Sequence, residues 1–166
     1  MLTELQEKLA EAHALAIGAA TATALVEEFT PDGGLTAELR SLRADADETR
    51  ARCLALERRY GKELADELLA HVNTANGKVA DLADAWFKAG TGPLQAWTFL
   101  AMGEAAEVAV WLTLQTLAAK ADDAAALRLA TWALPVQRGH LDTALSGAAR
   151  LAELRDPAAP RWGSAC

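Results

Sequence analysis

Basic side chains are in deficit. Sixteen Lys and Arg stand against 23 Asp and Glu, for a formal net charge of −7. This argues against nucleic acid as a partner, because that binding depends on Lys and Arg neutralising phosphates. Aromatic residues make up only 5% of the chain, and β-branched residues are also sparse, so strands are not expected. There are two cysteines, Cys53 and Cys166, without motif spacing. Such low usage rules out a disulfide framework and suits a reducing compartment, so a cytoplasmic protein is expected. No Gly-rich phosphate loop, Ser-His-Asp arrangement or CxxC pair occurs. The opening MLTELQEKLAEAH carries charges throughout, unlike a signal peptide. The longest weakly charged stretch, 90–119, holds Glu104 and Glu107 at its centre and an early Gly-Thr-Gly-Pro break, so no membrane span is expected.

What is present is helix. Hydrophobic residues make up 52% of the 166 positions, and many are alanine, which has the highest helix propensity and packs helices closely. This length fits one domain with a real core. Leu5, Leu9, Ala12, Ala16, Ala20, Thr23 and Val26 recur at three- and four-residue intervals and predict a first helix over about Thr3 to Phe29. The run Thr30-Pro31-Asp32-Gly33-Gly34 stops it. A second helix, from a Thr36 N-cap to about Tyr60, carries Leu35, Leu39, Leu42, Ala46, Thr49, Cys53 and Leu56 on one stripe. Lys62 to Lys88 reads as a crossing pair of shorter helices broken at Asn76-Gly77. Two more long helices follow, over about Leu94 to Lys120 and Asp123 to Leu154. Short loops force antiparallel neighbours. The expected fold is therefore all-α, an antiparallel four-helix bundle over 1–155 with an additional crossover helical segment, followed by a loose tail over 156–166.

The fourth helical segment, counting the crossover as one, is apolar on nearly every side, as in a helix covered by several neighbours. Its only acids, Glu104 and Glu107, sit at its middle. An ionised carboxylate there is costly unless something pairs with it. A hairpin turn centred near Ala121 and Asp122 sets residue 104 level with 139–140 and residue 107 level with 136–137. Gln137 and His140 stand at those levels. Pro135, just before them, is expected to kink the last helix.

The run Glu104-Ala-Ala-Glu107-Val-Ala-Val-Trp111-Leu-Thr-Leu, with Leu134-Pro-Val-Gln137-Arg-Gly-His140 across the hairpin, resembles the second half of a ferritin-like bundle. The likeness is to the bacterial stress-associated YciF-like family. Asp45-Ala-Asp47-Glu48-Thr49 is similar to that family's His-x-Glu-Glu-Thr stretch, with Asp45 at the His position. The resemblance implies a carboxylate and imidazole metal site at Glu104, Glu107, His140 and Gln137, helped by Asp45 or Glu48. It also implies iron or manganese and oxygen or peroxide chemistry. The pattern is degenerate. A di-metal site takes a Glu from each of two helices and a Glu-x-x-His from each of the other two. Here Gln137 stands in an acid place, Arg50 in a His place, and the first helix has only Ile17, Gly18, Ala19 and Ala20 at the matching level.

Alternatives stay open at this point. Glu104 and Glu107 can belong to a structural ion-pair network with Arg50, Arg138 or His140. The bundle can be a metal-free scaffold, or it can hold a small molecule between the last two helices, where the proline makes room. His13 and His71 lack ligand spacing and read as surface or flank residues, and Cys53 reads as core. A helix apolar all round needs more cover than three neighbours provide, so a homodimer is expected.

Overall fold

The computed structural model describes residues 1–88 and 90–158, and every regular element in them is helical. Five α-helices are present: α1 (Glu4–Glu28), α2 (Gly33–Glu57), α3 (Lys62–Trp86), α4 (Pro93–Lys120) and α5 (Ala124–Glu153). A 3-10 turn, Arg58–Tyr60, separates α2 from α3. Cys166 and most of the tail expected to be loose lie outside the described residues.

The boundaries follow from side chains that satisfy free backbone N–H groups at helix starts. The Thr3 hydroxyl accepts from the Gln6 N–H, and the Gln6 side chain accepts from the Thr3 N–H, forming a capping box. Asp32, not Thr36, caps α2 by accepting from the Leu35 N–H at 2.9 Å. An acid at this position offers a stronger acceptor than a hydroxyl, and it starts the helix four residues earlier than a Thr36 cap would. Asp123 caps α5 through the N–H groups of Ala125 and Ala126. The α4–α5 turn places Asp122 in the left-handed region at φ 53°.

One expectation fails locally. The crossover is one unbroken helix, not a pair, because Asn76-Gly77 stays in α3. Turn dipeptides are weak priors that a continuous apolar stripe overrides. Here Leu68 and Val72 bury that stripe against Ala10 and Ala14 of α1. Pro135 lies inside α5 without interrupting it, and its ring is exposed.

Helix α1 packs on α2 and α4, and α5 packs on α2 and α4, so these four enclose a shared interior while α3 lies along α1. The close approach of α3 depends on Gly18, where an added Cβ would meet Val79 Cγ1 at 2.7 Å. Consecutive helices reverse direction. At one end Trp97 of α4 donates from Nε1 to Thr30 at 2.9 Å, and at the other Tyr60 donates to Asp123 at 2.8 Å. Two apolar clusters fill the interior. One holds Leu9, Cys53, Leu56, Trp111, Leu114 and Leu129. The other holds Val26, Leu39, Leu42, Trp97, Leu100 and Ala144. The full α2 stripe read from sequence is buried. By length and composition alone, α1 is long and apolar enough to cross a membrane, but 50% of that window is buried against the other helices.

A candidate site in the polar layer of the bundle

Between the two apolar clusters lies a layer that is not apolar. Helix α4 contributes Glu104 and Glu107, which are 1% and 2% exposed, and α5 contributes Gln137 and His140, at 1% and 4%. The three-residue spacing on each helix turns both members of each pair inward. The hairpin levels expected from the turn hold, because His140 Nδ1 stands 3.6 Å from Glu104 Oε2. The other edge of the imidazole is held by α2, with Asp45 Oδ2 3.1 Å from Nε2. His140 therefore bridges a buried carboxylate and a half-exposed one.

Burial acts to lower the His140 pKa, but the Glu104 and Asp45 carboxylates outweigh it and hold the imidazole above its ordinary value. Burial and the nearby charge of Glu104 push the Glu107 carboxyl well above the usual range, against a smaller opposing influence from the Trp111 indole. Cys53 on α2 is buried, as its stripe position implied. Its thiol is pushed up by burial and then by the charges of Glu57 and Glu107. It is therefore a packing residue, not a nucleophile.

The polar layer is under-satisfied. Glu104 Oε2, Glu107 Oε2, both amide atoms of Gln137 and Trp111 Nε1 are buried without a hydrogen-bond partner among the described residues. Native interiors hold few such groups, and each calls for an explanation. Access comes from a cavity of about 290 Å³ between α1, α3 and α4. Leu15, Ala22, Val79, Leu82, Phe99 and Met102 form much of its wall, and Glu104 and Glu107 also line it. Leu82 and Met102 are 52% and 49% exposed, so they stand where the cavity meets solvent. The space near the acids therefore opens toward α1 and α3, not between the last two helices. Two small α1 residues, Gly18 and Ala19, leave room there.

Other expected site residues fall elsewhere. Glu48 is exposed and pairs with Arg52 at 2.6 Å. Ala46 and Thr49 take the inward positions of that turn, and the helical period carries Asp47 and Glu48 outward. Arg50 is also exposed, 3.5 Å from Asp47, so its guanidinium does not stand in the interior. Arg138 is exposed too and does not neutralise the acids.

A second buried pair has no counterpart in the sequence expectations. His13, expected at the surface, is 4% exposed, and its Nδ1 lies 2.8 Å from Oε1 of Glu57, itself 1% exposed. The signal was present: His13 follows Leu9 by four residues and Glu57 follows Cys53 by four, which extends both apolar stripes. Glu57 Oε2 has no partner among the described residues.

The resemblance implies a metal in this layer. The orphaned oxygens are suitable donors. However, among the described residues no three His, Cys, Asp or Glu side chains converge where one ion could be held. His140 presents its two nitrogens to separate carboxylates, and Glu48 is absent from the layer. As arranged, the residues do not fit a di-metal centre. No family model matches the chain, and no curated protein matches it.

Proposed function

We propose that the protein is a ferritin-like bundle that holds a small organic molecule in the cavity ending on Glu104 and Glu107. The observation that carries this reading is the pairing of an apolar cavity with two buried carboxylate oxygens that lack partners. Ligand sites are commonly concave and apolar, with a few convergent polar groups, and perturbed carboxyls cluster at functional positions. The ferritin-like part of the reading is supported by connectivity. Two antiparallel hairpins, α1–α2 and α4–α5, are joined by one long crossover through α3, so α2 and α4 run parallel.

A second reading, a minimal iron or manganese site, is favoured by Asp45. This carboxylate on Nε2 of His140 leaves Nδ1 facing Glu104, as an outer carboxylate does when it orients a ligating imidazole. It requires Glu104, Glu107 and Gln137 to move together.

Purification without chelators, followed by native mass spectrometry and elemental analysis, separates the two readings. The small-molecule reading expects an organic adduct, or a rise in Tm with short-chain alcohols, that is lost when the cavity is filled by Ala22→Phe. Stoichiometric iron or manganese lost in Glu104→Ala would establish the metal reading instead. The absence of both an adduct and any alcohol-induced stabilisation would refute the small-molecule reading.

A further inference from the structure

We infer that the cavity selects an aliphatic primary or secondary amine, bound as its ammonium ion with the charged head on Glu104 and Glu107 and the chain toward Leu82 and Met102. The inference rests on the small-molecule reading above and names its ligand class.

The wall sets the tail. Leu15, Val79, Leu82 and Phe99 offer hydrocarbon, so a ligand must be apolar over most of its length. The volume of about 290 Å³ is near twice that of an apolar cavity known to take benzene, which leaves room for roughly ten non-hydrogen atoms. An unbranched six-carbon amine is within that limit.

The inner end sets the head. Glu104 and Glu107 both line the cavity, each has an Oε2 without a hydrogen-bond partner among the described residues, and the two stand on one helix three residues apart, acceptors when ionised. What is missing is a group with at least two N–H donors. A primary or secondary ammonium has them, with a charge opposite to that of the site. An alcohol has one donor and no charge. A quaternary ammonium has charge but no donor, and a carboxylate is repelled. Arg50 and Arg138, the arginines expected to pair with these acids, are both exposed, and the imidazole that faces Glu104 Oε2, His140 Nδ1, stands 3.6 Å away, beyond hydrogen-bond distance. Burial strengthens the discrimination, because a charge-assisted hydrogen bond shielded from water is stronger than the same bond at the surface.

The rim sets the direction of entry. Met102 and Leu82 are about half exposed, at 49% and 52%. A methionine and a leucine can yield to an incoming chain by changing rotamer. They then cover its apolar end, while the acids hold the other.

The test uses the intact chain and four probes: n-hexylamine, n-hexanol, hexanoate and Mn(II), each followed by calorimetry and thermal shift. Hexylamine is expected to bind at least tenfold more tightly than hexanol, with hexanoate the weakest of the three. Glu107→Gln and Glu104→Gln should each remove most of the amine preference while leaving hexanol binding intact, and circular dichroism checks their fold. Ala22→Phe should abolish binding of amine and alcohol alike. If hexanol binds as tightly as hexylamine, or if both Gln variants keep the preference, the amine assignment is overturned and the small-molecule reading stands. If neither compound binds, both fall. Mn(II) binding that excludes hexylamine and is lost in Glu104→Gln would overturn the amine in favour of the metal.

Discussion

Replacing Glu107 with Gln should stabilise the protein, and by an amount that grows with pH. The Glu107 carboxyl is 2% exposed, and its Oε2 has no hydrogen-bond partner among the described residues. Burial and then the neighbouring charge of Glu104 raise its folded pKa well above 4.5. For a group raised on folding, the stability it contributes is fully present below the unfolded pKa and is lost as pH rises through the folded one. Below about pH 4.5 the carboxyl is neutral in both states, and the amide substitutes for it with little change. Above that pH the unfolded chain ionises while the folded one resists. Wild type should then lose about 1.4 kcal/mol per pH unit until the folded pKa is reached. The variant carries no such penalty. His140, also facing Glu104, has a raised pKa of its own, so its contribution is lost as pH rises through that value. Because it is present in both proteins, it largely cancels in the difference. Urea unfolding followed by circular dichroism at half-unit steps from pH 4 to 7 gives the comparison. A gap of one pH unit corresponds to a Tm difference of about 3–6 °C for a chain of this size. A difference that is flat across the range, or a variant less stable at pH 7, would refute a neutral, unpaired Glu107.

Gly147→Ala should destabilise by about 1–3 kcal/mol through overpacking, because an added Cβ would stand 2.1 Å from Cζ3 of the fully buried Trp97. The Trp97 ring is held in place by its bond to Thr30. Gly77→Ala, where a Cβ meets nothing within 4 Å, should instead gain up to about 1 kcal/mol from helix propensity. Equal effects of the two in thermal melts would contradict the packing described. His13→Ala strips the partner from buried Glu57 and should cost about 3 kcal/mol. The His13→Ala/Glu57→Ala double variant should recover part of that loss, and strict additivity in urea titrations would show that the pair is not coupled.

The apolar stripe Leu35, Leu39, Leu42, Ala46, Thr49, Cys53 and Leu56 determined which face of α2 is buried, since the helical period leaves only one way to hide those side chains. The level of Glu104 with His140 was also legible, because a short turn fixes the register of a hairpin by counting. What the sequence left open depends on which helices become neighbours. Periodicity does not report the partner of a face. Glu48 looked like a site residue by motif and Arg50 like an ion-pair partner of the buried acids, yet both lie on the outer face of α2, as the inward positions are taken by Ala46 and Thr49. His13 looked isolated because its partner, Glu57, is 44 residues away. The cavity was mislocated for the same reason. It exists because Gly18 lets α3 lie close along α1 while small side chains leave space beside the acids. Local composition fixes helices and their buried faces. Only the packing of non-adjacent helices decides which buried polar atoms find partners and which are left without one.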